Sequence, residues 1–185
     1  RLLQSPETER VHTTTLYRWI AAGTFQVDIA FQVDPLSLVF TLVVTGVGFL
    51  IHVYSIGYMH GDRGFWRFFA YLNLFIFMML VLVLSNNVLL TFVGWEGVGL
   101  CSYLLIGFWY DRPFAGVGIL WTTDAGRKAF IMNRIGDVGM LVAMFLLVKQ
   151  FGTLEYTAIT TQAAATLPVG SEVATAVTLL LFLAC

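Results

Sequence analysis

An all-α polytopic membrane protein is the fold class this sequence predicts, with a short extramembrane segment ahead of the helices. Three observations predict it. Of the 185 residues, 58% are hydrophobic and only 11% charged, where a soluble domain carries about a quarter. The mean hydropathy is +0.83. The apolar residues gather in runs of about 20, the length that crosses roughly 30 Å of hydrocarbon.

Residues 1–35 are mixed and polar, and within them "TFQVDIAFQVDP" alternates apolar and polar positions. That period predicts one or two short strands, a β-hairpin reading, in an extramembrane loop. Asp34 and Pro35 then supply a cap and a first-turn proline. The first span is expected at 36–58, the second at 68–84, the third at 88–109 and the fourth at 128–148. Residues 149–172 read as a loop, and 173–185 as the start of a further span. Arg1 stands where a first Met would, and the last apolar run is still open at Cys185. Both lead us to expect a piece of a longer chain.

Basic residues in the connections orient the spans. Arg63 and Arg67 lie between the first and second, and Arg112, Arg127 and Lys128 between the third and fourth. The "SNN" connection has none. The two basic loops are therefore expected on the cytoplasmic or matrix side. Residues 1–35 and 149–172 then fall on the outer side.

Ionisable groups inside the expected spans are few: Glu96, Arg134, Asp137 and His52. At about 1.5 Å per residue, Glu96 lies about 12 Å along its helix from Val88, and Asp137 some 13–14 Å from Lys128. Both fall near mid-membrane, where a charge costs about 2.5–3.5 kcal/mol even on the lenient insertion scale. Such a residue needs a partner, a hydrated cavity or a proton. Arg134 and Asp137 stand at i and i+3, so they can neutralise each other. A structural ion pair and a place on a proton pathway both remain open for them. No base lies within a turn of Glu96 on its own helix, so its partner must come from another. Gly94, Gly97 and Gly99 around Glu96, and Gly136 and Gly139 around Asp137, suit close helix packing.

Other chemistries find little support. Net charge is −1, which favours neither nucleic acid nor an anionic surface as partner. Cys101 and Cys185 form no metal-binding spacing, and no phosphate loop, dinucleotide fingerprint or nucleophile elbow is in a usable context. A haem would want histidines facing each other on two helices. His52 and His60 share one segment.

The segments "DPLSLVFTLVVTGVGFLIHVYSIGYM", "FFAYLNLFIFMMLVLVLSNN", "GWEGVGLCSYLLIGFWYDRP" and "KAFIMNRIGDVGM" resemble, in order, those of the antiporter-like subunit L of respiratory complex I, the bacterial NADH–quinone oxidoreductase. The same family includes subunit five of the mitochondrial enzyme. The resemblance implies an antiporter-like helix bundle, of which this chain would be the third to sixth helices and the start of the seventh. It implies proton translocation driven by quinone reduction in other subunits. No cofactor is implied here; NADH, flavin, iron–sulfur clusters and quinone belong to partner subunits. Implied partners are the lipid bilayer and other membrane subunits, especially the adjacent antiporter-like one. The implied location is the bacterial inner membrane, or the mitochondrial one as the alternative. Glu96 would pair with a lysine of the seventh helix, beyond Cys185, while Arg134 and Asp137 modulate that pair. The stretch between Pro113 and Lys128, with its apolar "FAGVGILW", is longer than the family pattern. Competing readings are the large subunit of a multi-subunit sodium/proton antiporter and a structural membrane scaffold.

Overall fold

The computed structural model describes residues 10–111, 122–168 and 170–184. Strands β1 (His12–Ala22) and β2 (Phe25–Val33) are followed by α1 (Pro35–Tyr58), α2 (Phe65–Leu84), α3 (Val88–Ile106), α4 (Thr122–Phe151), α5 (Tyr156–Thr166) and α6 (Glu172–Ala184). The first four helices are each long and apolar enough to cross a membrane. The chain is thus an all-α membrane bundle with a hairpin in front.

The hairpin closes through a two-residue turn at Gly23 and Thr24, with Gly23 at φ +61°. Glycine is the residue that takes positive φ there without a Cβ clash. β2 is the strand that the alternation announces, and it buries Val27 and Ala30. β1 is exposed along nearly its whole length. It is held by the ladder to β2 and by an ion pair from Arg18 to Asp28 at 3.2 Å.

α1 starts with a capping box. The Ser37 amide donates to Asp34 Oδ1 at 2.7 Å, and the Asp34 amide donates to Ser37 Oγ at 2.8 Å. Partial burial opposes ionisation of Asp34, but hydrogen bonds from the Ser37 and Leu36 amides and from Gln32 and Ser37 side chains hold the carboxyl below its ordinary value.

Several helix limits differ from the hydropathy reading, and α2 begins at Phe65 rather than 68. α4 begins at Thr122 rather than 128, because its polar first turns lie outside the apolar run yet still form helix. Asp124 sits in the first turn, where the helix dipole favours it, and pairs with Arg127 at 2.9 Å. α3 stops at Ile106 although the apolar run continues to Trp109. The continuation folds as a turn under the α1–α2 connection, where Trp109 Nε1 donates to Asp62 Oδ2 at 3.0 Å and Arg67 lies 4.8 Å from the Phe108 ring centre. Within 149–172, read as loop, α4 runs on to Phe151 and α5 forms from an Ala/Thr-rich stretch whose composition announces neither face. The expectation of a longer stretch between Pro113 and Lys128 rests on residues 112–121, outside the described ones, as does Arg112.

The helices pack in sequence: α1 on α2, α2 on α3, α3 on α4, and α4 on α6. A Cβ on Gly94 would lie 2.6 Å from the Leu82 backbone nitrogen, so α2 and α3 touch backbone to backbone there. At the hairpin end the loops interlock. The Asn86 amide donates to the Ala30 carbonyl, Tyr156 N–H to the Asn86 carbonyl and Val88 N–H to the Leu154 carbonyl. Asn87 caps α3 by accepting from the Leu90 amide at 2.8 Å, and its side chain donates to the Asp28 carbonyl at 2.9 Å. Buried Asn86 and Asn87 are thereby paired with protein groups, as buried amides must be.

Candidate functional site

Glu96, Arg134 and Asp137 meet between α3 and α4. Arg134 Nη1 is 2.5 Å from Glu96 Oε1, and Arg134 Nε is 3.7 Å from Asp137 Oδ2. The guanidinium therefore commits to the acid on the neighbouring helix and holds the one on its own helix more loosely. The i, i+3 spacing brought Arg134 within reach of Asp137 but did not reveal which acid would take it. Phe130, one turn earlier on α4, lies beneath the guanidinium at 4.9 Å from its ring centre. That residue was not singled out in the sequence. Only its i, i+4 relation to Arg134 could have marked it.

The three groups differ in burial. Asp137 is 3% exposed, and its Oδ1 has no hydrogen-bond partner among the described residues. The side chain of Arg134 is 51% exposed and that of Glu96 23%. The glycines near Asp137 in sequence face α6. A Cβ on Gly136 would lie 2.8 Å from the Ala184 carbonyl oxygen, and one on Gly139 would lie 2.9 Å from that of Leu180. With hydrogen in place of a methyl at both, α6 presses directly on α4.

The charge arithmetic follows. Two carboxylates and one guanidinium sum to −1 when all are ionised. An uncompensated charge in an apolar setting is costly. The cluster can offset it by taking up one proton or one cation, and either way it becomes a site for a single positive charge.

His52 takes no part in the cluster. It lies on α1, which packs on α2, with Nδ1 2.8 Å from the Gly48 carbonyl oxygen and its ring 5.9 Å from Phe69. Among the described residues no group of three His, Cys, Asp or Glu side chains is placed to hold a metal ion. Cys101 is buried and free.

Comparison with known proteins gives two family matches. Residues 19–69 match the N-terminal domain described as NADH-ubiquinone oxidoreductase (complex I), chain 5. Residues 85–185 match the transmembrane domain described as NADH:quinone oxidoreductase/Mrp antiporter. Among similar sequences, NADH-quinone oxidoreductase subunit L of Mycobacterium tuberculosis is 53% identical over 80% of this chain and 22% of its own length. The protein of that name from Escherichia coli is 49% identical over 80% of this chain and 23% of its own. The chain thus spans under a quarter of the curated relatives it matches. A chain in the structure of the Mrp complex from a Dietzia species superposes with a TM-score of 0.74 at 24% identity, over 99% of this chain and 18% of that one.

Proposed function

Because the chain belongs to the NADH:quinone oxidoreductase/Mrp antiporter family by its match over residues 85–185, we propose that it is part of the proton-translocating membrane subunit of NADH–quinone oxidoreductase, respiratory complex I. The similarity to curated proteins named subunit L, at 53% and 49% identity, supports that subunit over others of the family. The observation that carries a transport role is the surplus of one acid in the Glu96–Arg134–Asp137 cluster at mid-bundle.

In this reading Glu96 is the carrier and Arg134 its resting counter-ion. Proton arrival at Glu96 releases the guanidinium, which then turns toward Asp137 on its own helix, 3.7 Å away. Loss of the proton reverses the exchange. The resemblance adds a lysine of the seventh helix as a second cation competing for Glu96, approaching from the α6 side. Each transfer works against the membrane potential, about 2.3 kcal/mol per charge per 100 mV. The basic residues Arg63, Arg67, Arg127 and Lys128 support a topology with the end of the bundle opposite the hairpin on the cytoplasmic or matrix side. The subunit holds no redox group in this proposal. NADH, flavin, iron–sulfur clusters and quinone belong to partner subunits, and the adjacent antiporter-like subunit is its membrane neighbour. The location is the bacterial inner membrane.

The test is Glu96→Gln in the full-length subunit, assembled and reconstituted in proteoliposomes. Assembly is expected to persist while protons pumped per NADH oxidised fall. Normal pumping by an assembled complex would overturn the proposal. The family description also spans Mrp antiporters, so the second reading is the large subunit of a sodium/proton antiporter. It requires sodium-driven proton exchange without NADH-oxidising subunits.

A further inference from the structure

A helical side chain leans back toward the N-terminus of its own helix and covers the residue four positions earlier. On α4 that geometry lays Arg134 over Phe130, with the guanidinium carbon 4.9 Å from the ring centre. The ring is braced from across the seam between α3 and α4. The Tyr103 ring lies 5.6 Å from it, centre to centre, tilted by 55°. Tyr103 stands about two helical turns after Glu96 and on the same face of α3. The aromatic pair is therefore the next layer of the seam that holds the ions. One turn further along, a Cβ on Gly126 would lie 3.2 Å from the Tyr103 carbonyl oxygen. The two backbones close up there, so Phe130 stands on a firm base.

Arg134 has no such enclosure. Its side chain is 51% exposed, and a long cationic side chain carries its head toward water when nothing holds it. Its two acids do not hold it at every stage of an exchange. Once Glu96 takes a proton, the contact from Nη1 loses its opposite charge. Asp137 Oδ2 is then still 3.7 Å from Nε, beyond hydrogen-bond reach. An aromatic face attracts a guanidinium whatever the protonation of either acid. We infer that Phe130 is a positioning residue: its ring keeps the Arg134 guanidinium between Glu96 and Asp137, so that the cation passes from one acid to the other instead of leaving the seam. The inference rests on the proposed transport role for the exchange, and on the geometry alone for the hold. Phe130 touches no transferred proton; it acts only through Arg134. For a half-exposed guanidinium the hold is worth roughly two- to fivefold in the occupancy of that position.

The test uses the full-length subunit, with Phe130→Leu, Phe130→Tyr, and phenylalanines carrying successively more ring fluorines at position 130. Fluorine withdraws negative charge from the ring face and barely changes its shape. The first readout is a double-mutant cycle of unfolding with Arg134→Gln. Phe130→Leu should reveal a coupling of roughly two- to fivefold in the folded to unfolded ratio. Phe130→Tyr should keep that coupling, and the fluorinated rings should weaken it stepwise. The second readout is protons pumped per NADH oxidised by the assembled complex. It should fall along the same series, fall furthest in Phe130→Leu, and stay near native in Phe130→Tyr. A ring that only fills space gives no gradient with fluorine. Absent coupling, a flat fluorine series, or native pumping by an assembled Phe130→Leu complex overturns the inference. Where Phe130→Leu fails to assemble, the fluorinated rings still decide, because they keep the packing. A flat series beside an inactive Glu96→Gln sinks this inference alone. A graded coupling beside a fully active Glu96→Gln sinks the transport proposal and leaves the hold on Arg134 standing.

Discussion

Replacing Arg134 by Gln tests the charge arithmetic of the cluster directly. The native cluster sums to −1 with its groups ionised, since Arg134 offsets one of two carboxylates. Arg134→Gln takes it to −2, Glu96→Gln to zero, and the double replacement back to −1. Breaking a fully buried pair by removing one partner costs about 3–5 kcal/mol. Here the Arg134 side chain is 51% exposed and that of Glu96 23%, so the pair is not fully enclosed by this bundle and the full-burial figure is an upper bound. Polar contacts between membrane helices average about 0.6 kcal/mol and reach about 1.7. We therefore expect Arg134→Gln to cost about 1–2 kcal/mol, a factor of roughly 5–30 in the folded to unfolded ratio. Adding Glu96→Gln should recover most of the loss, and Glu96→Gln alone should leave stability near native. The assay is a double-mutant cycle of unfolding free energies on the full-length subunit in bilayers or bicelles. An Arg134→Gln variant as stable as the double replacement would refute the reasoning, because the orphaned acids would then carry no cost.

Two further outcomes follow from the packing and the caps. Gly94→Ala puts a Cβ 2.6 Å from the Leu82 backbone nitrogen, which cannot move aside as a side chain would. It should cost about 1–3 kcal/mol of overpacking, read as a lowered melting temperature, while Gly57→Ala, where a Cβ meets nothing within 4 Å, should cost little. Asp34→Ala should loosen the first turn of α1 by about 0.5–2 kcal/mol, seen as faster exchange of the Ser37 and Leu38 amides. The folded carboxyl is held below its ordinary value of 3.8, so the cap's contribution is complete above that value and is lost as pH falls through the lower, folded one. The exchange gap between native and Asp34→Ala should thus be constant at neutral pH and close in acid; a gap that persists there contradicts the capping account.

The spans were legible in the sequence because membrane crossing imposes a length and an apolar composition, and both are local properties. β2 was legible because it buries alternate side chains against the bundle. β1 was not, since neither of its faces is buried and its residues show no period. The ends of α3 and α4 were set by contacts the sequence does not display. Phe108 and Trp109 are drawn out of the helix by Arg67 and Asp62, and the first turns of α4 are helical without being apolar. At the site, the scarcity of ionisable groups in the spans singled out Glu96, Arg134 and Asp137, which the structure brings together, and the lack of a base near Glu96 required a partner from another helix. The partner in the structure is Arg134, which the same reasoning had assigned to Asp137. That choice depends on the relative register of α3 and α4, which no spacing within one helix encodes.

A structural lock between α3 and α4 would need one acid and one base. Glu96 and Arg134 fulfil that alone, at 2.5 Å. The lock leaves Asp137 unexplained. It is the most buried of the three, and it keeps an oxygen to which no described residue donates. A bundle selected for stability alone would gain by replacing that carboxyl with an apolar side chain of similar volume, since buried ionic groups are neutral or costly against such a replacement. A site that must accept and surrender one positive charge needs the opposite: a counter-ion with two acids to choose between, so that loading one releases the other. Asp137→Leu separates these two accounts. The lock predicts stability retained or raised with transport intact, whereas the exchange predicts the same stability with transport lost, because Arg134 would have nowhere to go when Glu96 takes its proton.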